Sequence, residues 1–225
     1  MQGKLIVFEG GEGSGKTTQI RRSHDWLRTS SLLHQLQQRN YISDVLVTRE
    51  PGGTELSQSI RQLLLNHTPS EPMQDRTELL LYAADRAQHV EYCLKPQLEK
   101  GMLILCDRYV DSTIAYQGYG RGLDRTLIDQ LNHIATNGLE SDLTLWLDID
   151  VEVGLARTQK RGASDRIEQS SLDFHQRVRQ GFTDLAQSHP HCMIRIDASQ
   201  SEDQVAQQIQ SVLQHHLVAW YGKLE

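Results

Sequence analysis

The octapeptide Gly10-Gly11-Glu12-Gly13-Ser14-Gly15-Lys16-Thr17 follows the apolar run Leu5 to Phe8 and precedes a stretch compatible with a helix. The pattern G-x-x-x-x-G-K-[ST] between a strand and a helix is a phosphate-binding loop. Its glycines let successive N–H groups turn inward toward phosphate oxygens, and the helix start adds its positive dipole end. Gly10 through Thr18 is therefore the expected cradle of a nucleoside triphosphate. Lys16 brings a mobile charge to the β and γ phosphates, and Thr17 offers its hydroxyl to Mg2+. The loop constrains the fold to an α/β type, but it does not choose a reaction: switch GTPases, motors, transporters and small-molecule kinases all share it.

The rest of the chain fits such a fold. Short apolar runs recur at Val45 to Val47, Met102 to Cys106, Leu143 to Leu147 and Cys192 to Ile196. Their continuous apolar character suits parallel strands covered on both faces. Between them, Glu78 to Glu99 and Leu172 to Gln187 carry helical spacing. The alternation predicts a doubly wound parallel sheet of about five strands with helices on both faces and its active edge at the strand C-termini. A length of 225 residues at 38% hydrophobic content supports one core, so residues 1–225 read as a single domain. The segment His67 to Asp75, with Pro69 and Pro72, reads as a loop. Thirty residues, Gln19 to Thr48, precede Arg49, more than one helix and one strand require. Thr29-Ser30-Ser31 reads as a helix break or the start of a small insertion.

With 23 basic against 29 acidic side chains, the net charge is −6. Such a chain has no overall positive field for nucleic acid or an anionic membrane, so an anionic ligand must be gripped locally. No apolar run approaches a membrane span, and the N-terminus leads directly into the first strand, which reads as untargeted and cytoplasmic. Cys93, Cys106 and Cys192 lack metal-ligand spacing and read as reduced, buried thiols.

Two strand ends supply that local grip. The second strand ends in Thr48-Arg49-Glu50-Pro51-Gly52-Gly53-Thr54, and the third in Asp107-Arg108-Tyr109. Asp107 is placed to serve Mg2+ or its waters. Either arginine alone reads equally as a structural ion pair or a phosphate contact; two at adjacent strand ends favour a bidentate phosphate clamp.

These segments, with Tyr-Ala-Ala-Asp-Arg-Ala-Gln-His at 82–89, Asp-Arg-Tyr-Val-Asp-Ser-Thr from 107, Ala-Tyr-Gln-Gly at 115–118 and Asp-Arg-Ile-Glu at 165–168, resemble thymidylate kinases over nearly the whole chain. The resemblance implies a P-loop nucleoside monophosphate kinase fold, a homodimer, and phosphorylation of dTMP by ATP with Mg2+ in dTTP biosynthesis. It implies that Arg49 and Arg108 hold the acceptor phosphate, that Tyr82, where Phe is more usual, stacks on thymine, and that Arg86 reaches a base carbonyl. Without the flanking motif, Tyr82 would read equally as helix-face packing. Thr113, Tyr116 and Gln117 match positions near the base and deoxyribose, Tyr116 filling the space of a ribose 2′-OH. Glu12 matches a carboxylate near the sugar 3′-OH.

The cations Arg157, Lys160, Arg161 and Arg166 resemble the family's mobile lid, at about residues 154–168, with Gly162 as a hinge. One subset of the family carries an arginine in the phosphate loop where this chain has Gly13, so the charge is expected from the lid. Lys16, Arg108, Arg157, Arg161 and Arg166 are accordingly the expected catalytic cations. The acceptor is a phosphate whose second pKa is about 6, so no general base is needed. In-line transfer without a covalent intermediate then reduces to positioning and charge neutralisation. The competing readings are a kinase of the same fold with another acceptor, a switch GTPase, whose Asn-Lys-x-Asp motif this sequence lacks, and a catalytically silent nucleotide-binding module.

Overall fold

Strand β1 (Lys4–Glu9) divides its side chains between two cores with the period of two that a strand imposes. Ile6 and Phe8 join one apolar cluster, Leu5 and Val7 the other. Strand β3 (Leu103–Asp107) does the same, with Leu103 and Leu105 on the first side and Ile104 and Cys106 on the second. With β2 (Val45–Arg49), β4 (Leu143–Asp148) and β5 (Met193–Asp197) they form an all-parallel sheet in the order β2-β3-β1-β4-β5. The computed structural model describes residues 3–66, 71–160, 162 and 165–222. Each predicted strand is present. All five run one or two residues beyond the last apolar position, because backbone pairing continues past the point where apolar side chains stop.

β1 lies between β3 and β4, so the chain order reverses beside it, and the crevice at such a reversal is where open α/β sheets hold ligands. The phosphate loop connects β1 to α1 (Lys16–Thr29) at that point. The long connection to β2 is explained by a second helix, α2 (Ser31–Gln38). Ser30 separates the two: its hydroxyl donates to Leu27 O at 2.7 Å and accepts from Leu33 N–H at 3.2 Å, closing one helix and capping the next. α2 buries Leu33 and Leu36 in the first core, so the extra residues are a packing element. Each such side chain contributes roughly 1.5–3 kcal/mol.

The helical stretch predicted over Glu78 to Glu99 begins earlier and is not uniform. α4 (Asp75–His89) widens into a π-helical turn at Val90–Leu94 before α5 (Lys95–Glu99). Lys95 N–H reaches Val90 O, five residues back, and Pro96, next in line, has no N–H to donate. Of the predicted loop before α4, His67 to Ser70 lie outside the described residues, and Asp75 belongs to the helix. The remaining helices are α3 (Glu55–Leu65), α6 (Val110–Thr113) with a π-helical continuation at Ile114–Gly120, α7 (Arg125–Thr136), α8 (Val151–Gln159), α9 (Leu172–Ser188) and α10 (Glu202–Tyr221). A third cluster, with Tyr116, Trp146, Phe174 and Phe182, fixes α9 against the π-helical segment.

The thiols are free, but only Cys106 is buried; Cys93 is half-buried and Cys192 exposed. The expectation of three buried thiols fails at Cys192 because that residue ends the turn before β5 rather than entering the sheet. Among the described residues no helix is long and apolar enough to cross a membrane.

Candidate active site

At the C-terminal edge of the sheet a cleft of about 230 Å³ is bordered by the phosphate loop from Glu12 to Thr18, by Arg49, Asp107 and Arg108, and by Tyr82 and Arg86. Lys16 opens α1 and is buried, its ammonium donating to Gly10 O at 2.9 Å, Gly11 O at 3.0 Å and Ser14 Oγ at 3.3 Å. Burial and the nearby Arg108 lower its pKa to about 8. Gly13 takes φ 67°, and a Cβ there would collide with the backbone of Gly154 in α8. A Cβ on Gly154 would in turn strike Glu12 O. Loop and helix thus touch backbone to backbone, and this packing leaves no room for a side chain at position 13.

Arg108 directly follows β3 in the left-handed region at φ 72°, a conformation costly for a non-glycine residue. Its Nη1 donates to Gly10 O at 3.0 Å and Ser112 Oγ at 3.1 Å, and its Nη2 to Glu12 Oε1 at 2.7 Å. The guanidinium lies 4.9 Å from the centre of the Tyr116 ring, whose hydroxyl donates to the same Glu12 oxygen at 2.7 Å. Burial alone would raise the Glu12 pKa, but Arg108, Lys16 and the Tyr116 hydroxyl prevail and hold it at about 2. A carboxylate inside a phosphate loop is thereby balanced by two cations. Arg49 stands in register with Asp107 across β2 and β3, is exposed, and makes no ion pair among the described residues.

Tyr82 and Arg86 are one turn apart on α4, as their spacing requires. Arg86 is 2% exposed and commits four of its five N–H groups within the protein. Nε donates to Glu50 Oε2 at 2.8 Å, Nη1 to Thr113 Oγ1 at 2.9 Å and Asn132 Oδ1 at 2.7 Å, and Nη2 to Tyr109 O at 3.0 Å. Glu50 also meets His89 Nδ1 at 2.9 Å, and His89 Nε2 meets Thr48 Oγ1 at 2.7 Å. Burial opposes a charge on His89, but hydrogen bonds to Cys93 and Glu50 and the Glu50 charge outweigh it, raising the pKa to about 9. Gln117 borders the cleft with its amide donating to Glu78 Oε1 at 2.7 Å.

Among the described residues, the cations expected in the lid are not gathered at the cleft. Arg157 donates to Ala198 O at 3.5 Å, beyond the end of β5, and Lys160 is exposed. Arg161 lies outside the described residues. Arg166 donates to Leu64 O at 3.1 Å and pairs with the buried Glu78 at 2.5 Å, because its neighbours Asp165, Ile167 and Glu168 face the cleft instead. Sequence reasoning did not single out Arg61 of α3, which borders the cleft and donates to Pro51 O at 3.0 Å, nor the buried Glu78. Glu9 was also missed, although a carboxylate ending an otherwise apolar strand is a signal in itself. Burial and the neighbouring Asp111 carboxylate push Glu9 up to about 7.

Comparison with known proteins converges on one family. Residues 8–209 match the family model for thymidylate kinase. The thymidylate kinase of Cyanothece sp. (strain PCC 7425 / ATCC 29141) is 60% identical over an alignment covering 100% of this chain and 99% of that protein. That of Acaryochloris marina (strain MBIC 11017) is 59% identical, covering 98% of this chain and 100% of its own length. The thymidylate kinase of Synechococcus sp. (strain JA-2-3B'a(2-13)) is 50% identical over 95% of each chain.

Proposed function

The chain belongs to the thymidylate kinase family, and from that premise we propose that it transfers the γ-phosphoryl group of ATP to dTMP, forming dTDP for dTTP biosynthesis. The observation that carries the reading is the Glu12–Arg108 pair at 2.7 Å, which ties a triphosphate loop to an arginine at an acceptor-side strand end. One cleft then serves both substrates, with Lys16 on the donor side and Arg49 and Arg108 on the acceptor phosphate. The ring of Tyr82 stacks on thymine, and the remaining N–H of Arg86 is the one available to a base carbonyl. Thr113 and Gln117 border the same cleft, and Tyr116, held by Glu12, excludes a 2′-hydroxyl.

Thr17 and Asp107 fit Mg2+: both border the cleft, and a magnesium ion that keeps its waters and binds phosphate oxygens needs only one or two protein oxygens. When bound, it neutralises charge on the transferring phosphoryl. The protein's own residues orient the ionised acceptor phosphate in line with the donor, and no side chain has to remove a proton. Residues 154–168 serve as the lid; Arg157 reaches the donor phosphates only on closure, and Arg166, committed to Glu78, acts as a latch rather than a phosphoryl contact.

A homodimer formed through α3, α4 and α7 completes the reading. α3 packs on α4 and α4 on α7, and this layer exposes Leu56, Leu63, Leu80, Tyr92, Leu127 and Ile134. A cytoplasmic setting would keep the free thiols reduced. Turnover of dTMP, dUMP, UMP and AMP with ATP or GTP tests the assignment. Fastest transfer from ATP to dTMP is expected; equal rates on all four acceptors, or a preference for GTP, would overturn it.

A further inference from the structure

Glu9 ends β1 one residue before the phosphate loop and is fully buried, an unfavourable place for a carboxylate unless partners are supplied. Its partners all come from the segment that follows Arg108. Oε1 accepts from Tyr109 N–H at 2.8 Å and Ser112 N–H at 3.2 Å, and Oε2 accepts from the Ser112 hydroxyl at 2.6 Å. The two N–H groups belong to the start of α6, where a helix has no acceptors of its own and favours a negative charge. The Ser112 hydroxyl oxygen accepts in turn from Arg108 Nη1 at 3.1 Å. Glu9, Ser112 and Arg108 thus form a continuous line from the root of the donor loop to the guanidinium. The same contacts hold the backbone just beyond Arg108, whose left-handed conformation at φ 72° must be stabilised by its surroundings.

We propose that Glu9 and Ser112 are positioning residues for phosphoryl transfer, holding Arg108 in the pose that clamps the acceptor phosphate; this rests on the reading of Arg108 as that clamp. Ser112 borders the cleft beside Arg108, whereas Glu9 does not. Glu9 is sealed from solvent, and its effect passes through the Ser112 hydroxyl.

The test is steady-state kinetics with dTMP and ATP varied separately, in Ser112→Ala, Ser112→Thr, Glu9→Gln and Arg108→Ala, and in the double variant of Ser112→Ala with Arg108→Ala. Losing one hydrogen bond to a charged group predicts a fall of about tenfold in kcat/KM for dTMP in Ser112→Ala. KM for ATP should stay within about twofold, Ser112→Thr should recover most of the loss by keeping the hydroxyl, and Ser112→Ala should add less than about twofold to Arg108→Ala. Glu9→Gln should resemble Ser112→Ala if thermal melting shows it folded; if it does not fold, the Ser112 variants decide alone. A crippled Arg108→Ala beside a wild-type Ser112→Ala overturns the positioning role and leaves the clamp standing. An undiminished Ser112→Ala effect in the Arg108→Ala background overturns it as well. A wild-type Arg108→Ala removes the clamp reading on which it rests.

Discussion

Tyr82 places a hydroxylated ring where thymidylate kinases more usually carry phenylalanine. Stacking uses the face of the ring, so Tyr82→Phe should leave KM for dTMP within about twofold, whereas Tyr82→Ala should forfeit about 1–3 kcal/mol of stacking and raise KM roughly tenfold or more. Steady-state kinetics at saturating ATP reads both, and a Tyr82→Ala enzyme with unchanged KM would return the ring to mere helix packing. His89 makes a prediction about stability. Its pKa is about 9 in the folded protein, against an ordinary 6.5, so the folded state binds the proton more tightly. The stabilisation is complete below about pH 6.5 and is lost as pH rises through 9, a loss on the order of 3 kcal/mol. Urea unfolding at pH 6, 7, 8 and 9 should show this slope, and His89→Gln should flatten it; a flat wild-type profile would show that the Glu50 pair does not hold the proton. At this scale the sequence is unevenly legible. Lys16 and Thr17 could be read because the loop's geometry is local, spanning adjacent residues. The burial of Arg86 could not, because its partners Glu50, Thr113 and Asn132 lie 27 to 46 positions away.

Helix α8 and the segment after it carry the next level of consequence. The contact of Gly13 with Gly154 joins the phosphate loop to α8, so Gly154→Ala must push the Glu12 carbonyl and with it the loop. Overpacking of this kind typically costs about 1–3 kcal/mol, and a Tm lowered by several degrees together with a raised KM for ATP is expected. A raised KM for dTMP alone would contradict the coupling. The Arg166–Glu78 ion pair predicts a different signature. If Arg166 acts only through Glu78, Arg166→Gln and Glu78→Gln should both weaken dTMP use, and their combination should be clearly less than additive. Full additivity would point to an independent role for Arg166 at the phosphates. Elements themselves were largely readable: apolar runs locate all five strands because strands buried on both faces need continuous apolar sequence. The π-helical turns at Val90–Leu94 and Ile114–Gly120 were not, since they change the periodicity without changing the composition. The placement of Arg157 and Arg166 away from the cleft was equally hidden, because a run of cations states charge but not direction.

On the scale of the whole molecule, the apolar residues left outside decide how many chains act together. Leu56 and Leu63 are seven positions apart on α3, as are Leu127 and Ile134 on α7, so each pair shares a helix face; Ile134 is 73% exposed and Tyr92 74%. Covering side chains of this size contributes roughly 1.5–3 kcal/mol each, enough in sum to favour association once about 800 Å² per partner is buried. The same layer supports the cleft from behind, since α4 carries Tyr82 and Arg86 and α7 carries Asn132, which accepts from Arg86 at 2.7 Å. Dimerisation through this layer should therefore brace the site for dTMP, even though no residue need cross from one protomer to the other. Sedimentation should find the wild type at twice the 25.6 kDa of one chain, and Ile134→Glu, which sets a charge in the middle of the shared face, at the single-chain mass. The monomeric variant should keep its KM for ATP, because the phosphate loop lies beside β1 and α8, and should lose affinity for dTMP by several-fold. A wild type that sediments as one chain would remove the homodimer, and a monomeric variant with an unchanged KM for dTMP would show that the pocket stands without its partner.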